Sequence, residues 1–486
     1  MKRWKVVPVG LAAAGMVAAP TPAAPTEQTA VRTHVLVLAD DAMAGRKAGT
    51  PAYERAAGYV TEQFRAVGLI PAPGHGWLQR VPLIALAPAE PGRAVLTRGG
   101  ETVALGPDDI ALSLPARPED EHVSGTLVAA GHCAVDRSAG IDDFAGLNMR
   151  GRIAACKVGA PAGLPPTART IHGEPAEKAH AARVRGAIGI VLIQSTGQAE
   201  TTSFPRIARA WRAPRLVLDD PADAGRILGL LSAGAAVRAL AGEGQATLTL
   251  DSTARRERLS SSNVVGWLPG TDPRRRNETI VVTAHLDHLG NEVAPRVGSA
   301  DRIANGALDN AMGVAVMIEV ARRLAYAPRR PARSILFVAF TAEEQGLLGS
   351  RWFVRHLPVN RRRLFANVNI DMPILTYPLA DVLLRGTGWE DVAFLREMEN
   401  RLGLPIMAEN DTTPPSDNLS FSRIGVRTYV PLPGLSGDGA AAARRFRSEH
   451  YHRPSDDLSL PIDWTAADRY VSFVHFLTSA LAQPAT

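Results

Sequence analysis

The chain has 486 residues, of which 46% are hydrophobic and 21% are charged, and its formal net charge is +6. A chain of this length and apolar content can bury a large core in two or three domains, which excludes a largely disordered protein. Its basic residues fall in short, scattered groups with few aromatic residues between them, so the charge does not predict a nucleic-acid-binding surface.

Residues 1–25 have the order of a secretory signal peptide. The basic segment Met1–Lys5 precedes an apolar, alanine-rich run up to about Ala19, and a stretch rich in proline, alanine and threonine follows. The run is too short to favour a membrane span. We therefore expect a secreted or periplasmic protein with no stable membrane span after the signal is removed. An uncleaved anchor is the alternative, and the cleavage site is left open.

Residues 30–118 predict helices followed by strands. Two helical patterns are joined by a glycine-containing loop, and Gly68 stands where the second helix should end. From Trp77 to Leu114, short apolar runs broken by glycine and proline indicate strands.

Residues 119–250 predict a separate β-rich module. The buried-strand candidates are "SGTLVAAGH", "GRIAACKVG" and "AIGIVLIQS", with the helical pattern "AEKAHAARVRGA" between the last two. The two cysteines of the chain, Cys133 and Cys156, lie in this module. They can pair in an exported protein, although the sequence leaves the pairing open, and they lack the spacing of a zinc site.

Strands and helices alternate through residues 256–486, after the arginine-rich segment "DSTARRERLSSS". This alternation predicts an α/β fold with a mixed, largely parallel sheet sandwiched between helices.

Ionisable side chains follow several of these strands, and in such a sheet ligands gather beyond the carboxyl ends of the strands. The residues concerned are His285, Asp287, Asp309, Glu343, Glu344 and Asp371. Each taken alone is best explained as a helix cap or a loop residue. Together they would repel one another unless a cation neutralised them, and a mixture of imidazole and carboxylate suits zinc or another first-row divalent ion.

An ordered set of motifs resembles the M28 family of zinc peptidases, the dizinc aminopeptidase family with the zinc-exopeptidase fold. The motifs are "HLD" at 285–287, "NGALDNAMGVAVMIEVARRL" from 305, "AFTAEEQGLLGS" from 339, "NIDM" from 369, "SDNLSF" from 416 and "YHRPSDDL" from 451. The resemblance covers the chain from about Ser262 onward. The segment beginning "LADDAMAGRKAGT" is similar to the N-terminal part of secreted members, and the β-rich module is similar to an inserted protease-associated domain.

The resemblance implies two zinc ions per chain and five ligands. His285 and Asp371 would bind one ion, Glu344 and His452 the other, and Asp309 would bridge both.

Three further residues match catalytic positions of the family. Glu343 matches the general base, Asp287 the carboxylate that orients the first histidine, and Tyr451 a hydroxyl that faces the developing oxyanion. Other polar residues are expected to have supporting roles. His288 and His450 would make structural hydrogen bonds or support the ligands, Asp417 and Asn418 would support the site, and Asp456 and Asp457 would cap or order the segment after His452.

The implied function is a zinc-dependent exopeptidase, an aminopeptidase that acts on the N-termini of peptides or proteins. One alternative is a glutaminyl cyclase-like enzyme on the same fold, and the inserted module and "AEEQGLLGS" favour the peptidase over it. Another is a non-catalytic, receptor-like binding protein, which the filled ligand positions disfavour. Carboxypeptidase or dipeptidase activity, side-chain specificity, metal identity and oligomeric state are left open.

Overall fold

The computed structural model describes residues 27–194, 203–221, 226–241, 243–294, 300–386, 392–411 and 415–483. The predicted signal peptide at residues 1–25 lies outside these ranges. Within them, no helix combines the length and the apolar character that crossing a membrane requires.

The described ranges contain twelve α-helices. They are α1 (Glu27–Leu38), α2 (Pro51–Ala66), α3 (Pro166–Gly173), α4 (Pro175–Val184), α5 (Phe204–Trp211), α6 (Ala233–Leu240), α7 (Met312–Ala325), α8 (Leu348–Arg355), α9 (Val392–Leu402), α10 (Asn418–Arg423), α11 (Gly439–Glu449) and α12 (Trp464–Ala482).

The same ranges contain twenty strands. They are β1 (Ile70–Pro71), β2 (Leu78–Pro88), β3 (Arg93–Arg98), β4 (Glu101–Leu105), β5 (Ile110–Leu112), β6 (His122–Ala129), β7 (Val135–Asp136), β8 (Ile141–Asp142), β9 (Ile153–Lys157), β10 (Gly189–Ile193), β11 (Arg215–Leu218), β12 (Ile227–Leu231), β13 (Thr247–Asp251), β14 (Ala254–Leu268), β15 (Thr279–His285), β16 (Ser334–Phe340), β17 (Leu364–Asn369), β18 (Val382–Arg385), β19 (Ile406–Glu409) and β20 (Thr428–Pro433).

Helix α2 shows how local sequence sets an element's ends. The side chain of Thr50 accepts a hydrogen bond from the amide of Tyr53, and Pro51 occupies the first helical turn, where its missing N–H costs nothing. Gly68 follows the helix with a positive φ of 84°, which confirms the predicted stop.

The first sheet has the strand order β11-β2-β14-β16-β15-β17-β20-β18-β19, with β1 paired to β14. Its central strands β16, β15, β17 and β20 are parallel, as is the pair β18 and β19. The other pairs are antiparallel. The predicted α/β fold with a mixed sheet is therefore confirmed, and the parallel core lies where the sequence alternates strand and helix.

Helices cover both faces of this sheet. Ile280 and Val282 of β15 lie in an apolar cluster that includes residues of α1, α2, α7 and α12. Val281, which points to the opposite face, lies in a second cluster with Phe353 of α8 and Phe421 of α10. Strand β15 is consequently buried along its whole length, which explains its continuous apolar sequence.

The second sheet has the strand order β4-β3-β13-β6-β9-β10-β12-β5. Strands β6, β9, β10 and β12 are parallel to one another, and the outer pairs are antiparallel. Cys133 and Cys156 form a disulfide beside this sheet, with their Cα atoms 5.3 Å apart. The pairing that the sequence left open is thus formed.

The boundaries of the second sheet differ from the predicted module at residues 119–250. Strands β3, β4 and β5 precede residue 119 but pair within the second sheet. Strand β11 lies inside the predicted module but pairs with β2 at the edge of the first sheet. The sequence missed both points because an apolar run predicts a strand without identifying its partner.

The arginine-rich segment between the predicted modules is also a strand. From Ala254 onward it belongs to β14, whose residues 254–264 pair with β2. The side chains of Arg255, Glu257 and Arg258 are exposed to solvent in this part of the strand.

Candidate metal centre

The candidate site lies at the carboxyl ends of the three neighbouring parallel strands β15, β16 and β17. His285 is the last residue of β15 and lies beside Phe340, the last residue of β16. The amide of Leu286 continues the ladder by donating to the carbonyl of Phe340 at 2.8 Å. The loops that leave β15 and β16 therefore run side by side and bring their ionisable residues together.

His285 faces two carboxylates. Its Nε2 lies 3.1 Å from Oδ1 of Asp371, which follows β17, and 3.2 Å from Oδ1 of Asp309, which precedes α7. The side chains of His285 and Asp309 are almost wholly buried, whereas Asp371 is partly accessible. These three residues form a group able to hold a metal ion.

The second oxygen of Asp309 faces a different histidine. Its Oδ2 lies 3.5 Å from Nε2 of His452, and the same Nε2 lies 3.1 Å from Oε2 of Glu344. Asp309 therefore stands between the two histidines and presents one oxygen to each.

Glu344 also contacts His288, which the sequence assigned to a supporting role. Nδ1 of His288 lies 2.7 Å from Oε1 of Glu344, and the ring of His288 packs edge-on against that of His452. Glu344 therefore contacts two imidazole rings, that of His288 through Oε1 and that of His452 through Oε2.

Asp456 holds the turn that carries Asp309. Its carboxylate is completely buried and accepts hydrogen bonds from the amides of Leu308 at 2.9 Å and Asp309 at 3.0 Å. The Asp309–Asn310 peptide bond in this turn is cis. Asp456 therefore acts on the turn before α7, whereas the sequence predicted that it would order the segment after His452.

The contacts of Asp287 differ from the predicted ones. Nδ1 of His285 lies 3.1 Å from the backbone carbonyl of Asp287, which can fix the imidazole ring. The Asp287 carboxylate instead accepts hydrogen bonds from the amides of Glu343 at 3.0 Å and Glu344 at 3.4 Å. The side chain thus holds the backbone of the two glutamates.

Tyr451 lies directly against the site. Its ring stacks on that of His452, with ring centroids 3.8 Å apart and an interplanar angle of 26°. Burial and the nearby carboxylates of Asp309 and Glu344 raise the pKa of the Tyr451 hydroxyl, so it is protonated at neutral pH.

His450, the residue before Tyr451, points elsewhere. Its Nδ1 lies 3.0 Å from the carbonyl of Ser455, which agrees with the local structural role expected from the sequence.

Mutual electrostatics set the protonation of the histidines and of the carboxylate between them. Burial opposes a charged His285, but the Asp371 and Glu343 carboxylates raise its pKa well above the ordinary value. For His452, hydrogen bonds to Asp309 and Glu344 outweigh burial and raise the pKa to about 10. The hydrogen bonds from both histidines in turn hold the pKa of Asp309 well below its ordinary value against the effect of burial.

Other acids near the site have raised pKa values. Burial raises the pKa of Glu343 well above its ordinary value, opposed by His285 and assisted by Asp371 and Asp417. Burial likewise raises the pKa of Asp287 to about 6 and that of Asp417 to about 7. Several buried carboxyl groups with raised pKa values lie close together here, which indicates that the metal-free site lacks the positive charge needed to neutralise them.

The side chains fit a divalent metal. Within the described residues, three groups place their ligand atoms within 4.8 Å of one another: His285 with Asp309 and Asp371, His288 with Asp309 and Glu344, and His285 with Glu343 and Glu344. Imidazole and carboxylate ligands in these combinations suit zinc or a similar first-row ion, and the buried excess of carboxylates would be neutralised by it.

Arg46 is the residue at this site that the sequence interpretation missed. It lies 240 positions before Leu286, to whose carbonyl it donates a hydrogen bond at 2.8 Å. An arginine in a glycine-containing loop carries no local signal of such a contact, so only the packing of the N-terminal segment reveals it.

Residues 263–478 match the model of peptidase family M28. The resemblance drawn from the motifs is therefore confirmed for this part of the chain.

Two curated relatives illustrate the sequence similarity. Aminopeptidase YwaD of Bacillus subtilis (strain 168) is 32% identical over 209 residues, which cover 42% of this chain and 39% of that protein. A probable zinc metalloprotease of Pyrenophora teres f. teres is 44% identical over 115 residues, which cover 24% of this chain and 23% of that protein. The chain thus spans less than half the length of the curated relatives it matches.

The solved structure of an aminopeptidase from Aneurinibacillus sp. strain AM-1 matches over 94% of both chains, with a TM-score of 0.50 and 20% sequence identity. At this level of identity the likeness shows a shared fold, and it extends through both sheets.

Proposed function

We propose, from the family M28 domain at residues 263–478, that this protein is a zinc-dependent exopeptidase of the aminopeptidase type, which hydrolyses the N-terminal bond of peptides or proteins. The observation that carries the proposal is the position of Asp309. One of its oxygens lies 3.2 Å from His285 and the other 3.5 Å from His452, as a carboxylate shared by two metal ions requires.

The five residues predicted as ligands would hold two zinc ions. Asp309 would bridge the ions, with His285 and Asp371 on one side and Glu344 and His452 on the other. Bound there, the metal would polarise the scissile carbonyl and lower the pKa of the attacking water.

Glu343 is suited to transfer the proton. It follows β16, its backbone amide donates to Asp287, and its carboxylate lies within 4.8 Å of the ligand atoms of His285 and Glu344. From there its carboxylate can accept a proton from water and return it to the leaving amine nitrogen.

Tyr451 is suited to stabilise the developing oxyanion. A protonated hydroxyl beside the metal ligands can donate a hydrogen bond to the carbonyl oxygen as negative charge builds on it. Stacking on His452 restricts the ring, which lowers the entropy lost in this role.

The names of the relatives support the same activity. The Bacillus protein is called an aminopeptidase, the Pyrenophora protein a probable zinc metalloprotease, and the Aneurinibacillus structure an aminopeptidase. We further propose that residues 1–25 direct secretion or export to the periplasm, and that the second sheet belongs to a protease-associated module.

The test combines Glu343→Gln with a matched control, Glu62→Gln, which changes an exposed residue of α2. Hydrolysis of a panel of amino-acid p-nitroanilides should fall by about 10²–10⁴-fold in Glu343→Gln and stay unchanged in Glu62→Gln. Zinc content, measured by elemental analysis, should remain at two ions per chain in both variants.

Two results would contradict the assignment. Loss of zinc in Glu343→Gln would make that residue a ligand instead of a base. Cyclisation of an N-terminal glutaminyl peptide by the wild-type protein, with no hydrolysis of any p-nitroanilide, would make it a glutaminyl cyclase-like enzyme.

A further inference from the structure

Arg46 is completely buried at the base of the candidate metal centre. Its guanidinium donates four hydrogen bonds, and all of them end on backbone carbonyl oxygens instead of carboxylates. Nε donates to Leu286 at 2.8 Å, Nη2 to Gly306 at 3.1 Å, and Nη1 to both Leu38 and Asn305. A buried cation is costly unless such bonds compensate it, so these contacts fix the position of the side chain.

The carbonyls belong to the two segments that carry the candidate ligands. Leu286 directly follows His285, and Gly306 lies three residues before Asp309. One planar guanidinium therefore joins the loop after β15 to the turn before α7. The fixed fork of donors in arginine suits this bridging, whereas the single ammonium of lysine does not.

The backbone around Arg46 adds to the same connection. Its carbonyl accepts a hydrogen bond from the amide of His288 at 3.3 Å, and the carbonyl of Gly45 accepts one from Gly290 at 3.1 Å. Gly45 has a positive φ of 66°, and a Cβ there would lie 2.5 Å from the carbonyl oxygens of Gly290 and Ala304. The segment can approach these loops so closely only with glycine at this position.

The charge of Arg46 and its hydrogen bonds have opposite effects on a bound metal. The guanidinium is attracted by the carboxylates of Asp456, Asp287 and Asp309, and it stays protonated at neutral pH although burial lowers its pKa to about 10. It offsets part of the negative charge in the absence of metal and repels an incoming cation. If charge dominated, removing Arg46 would tighten metal binding; if positioning dominates, removal weakens it.

We propose that Arg46 is a positioning residue of the metal centre, which holds the His285 loop and the Asp309 turn at the spacing that lets these two side chains share a metal ion. This inference rests on the proposed function insofar as the site binds zinc. It gives the N-terminal segment, which lies outside residues 263–478, a direct part in metal binding.

The test measures the affinity of the metal-free protein for zinc, by competition with a chromophoric chelator and without substrate. Arg46→Met should weaken zinc binding by about 10–100-fold, the range typical for partners that orient metal ligands, even though a repelling charge is removed. Unchanged or tighter binding in this variant would overturn the proposal.

Arg46→Lys keeps the buried charge and provides a second variant if Arg46→Met does not fold. Its zinc affinity should fall by at least about threefold, because one ammonium cannot span the carbonyls of both segments. Wild-type affinity in Arg46→Lys would show that charge alone matters and would overturn the proposal.

Arg333→Met is the matched control. Arg333 is 4% exposed and also bonds to carbonyls, those of Leu481 and Gln483, but it lies beside the opposite end of β16. This variant should lower the thermal stability and leave the zinc affinity unchanged. A loss of affinity equal to that of Arg46→Met would mean general destabilisation and would overturn the proposal.

The zinc measurement separates this inference from the proposed activity. A wild-type protein that binds zinc and hydrolyses no aminoacyl substrate would refute the activity alone. Unchanged zinc affinity in Arg46→Met, with an active wild-type enzyme, would refute the role of Arg46 alone.

Discussion

Substituting Asp456 by asparagine removes one acceptor oxygen from beneath Asp309. The two carboxylate oxygens accept hydrogen bonds from the amides of Leu308 and Asp309 at 2.9 and 3.0 Å, and the side chain is completely buried. Asparagine offers one carbonyl oxygen and an NH₂ group that cannot accept. One of the two amides would therefore lose its partner in a site closed to water.

The cost of that lost partner sets the expected magnitude. An unsatisfied buried amide costs about 1–3 kcal/mol. Burial raises the pKa of Asp456 from 3.8 to about 7, so at pH 3 the carboxyl is protonated in the folded protein and largely protonated in the unfolded chain, and the substitution changes no charge in either state. In domains of 150–250 residues, each kcal/mol of lost stability lowers the melting temperature by about 2–4 °C. The melting temperature of the variant should therefore fall by roughly 2–12 °C.

The assay is thermal unfolding of the metal-free protein at pH 3, with Asp457→Asn as the control. Asp457 is accessible to solvent and accepts a local bond from the amide of Ser459 at 2.8 Å, so its substitution should change stability by less than about 0.5 kcal/mol. Equal melting temperatures for the two variants would refute the assigned role of Asp456.

Three other predictions follow from the site and the second sheet. Tyr451→Phe should lower kcat by about 10²–10³-fold with little change in KM, and an unaltered kcat would exclude the oxyanion role. Burial raises the pKa of Asp287 and Asp417 from 3.8 to about 6 and about 7, so the folded metal-free protein binds more protons than the unfolded chain. Its stability should therefore fall as pH rises from about 4 to 7, and a rising melting temperature over that window would contradict this. Replacing Cys133 and Cys156 with serine should cost about 3 kcal/mol of unfolding free energy, because the bridge closes a span of 23 residues, and zinc affinity should stay unchanged.

The sequence was most informative where a buried strand ends in ionisable side chains. The buried run of β15 and the histidine that ends it predicted both the central strand and the position of His285 at its carboxyl end. Parallel neighbours bring such ends to one edge, so Glu344 and Asp371 could be placed there without knowledge of any side-chain contact.

Side-chain partners were harder to predict than side-chain positions. Asp287 was predicted to orient His285 through its carboxylate, but the backbone carbonyl faces the imidazole and the carboxylate accepts the Glu343 and Glu344 amides. Residues two apart can meet through either group, and spacing alone does not distinguish them. The same limit applied to His288, whose contact with Glu344 depends on the path of the loop.

What the sequence by itself determined is the α/β core with its mixed sheet and the set of ionisable residues at one edge, because apolar periodicity and strand-end placement are local properties. Only the tertiary structure decided that β3, β4 and β5 join the second sheet and that β11 joins the first, since pairing depends on partners distant in the chain. It also decided that Arg46 lies beneath the His285 loop and the Asp309 turn. That contact spans more than 200 residues, and no local pattern encodes it.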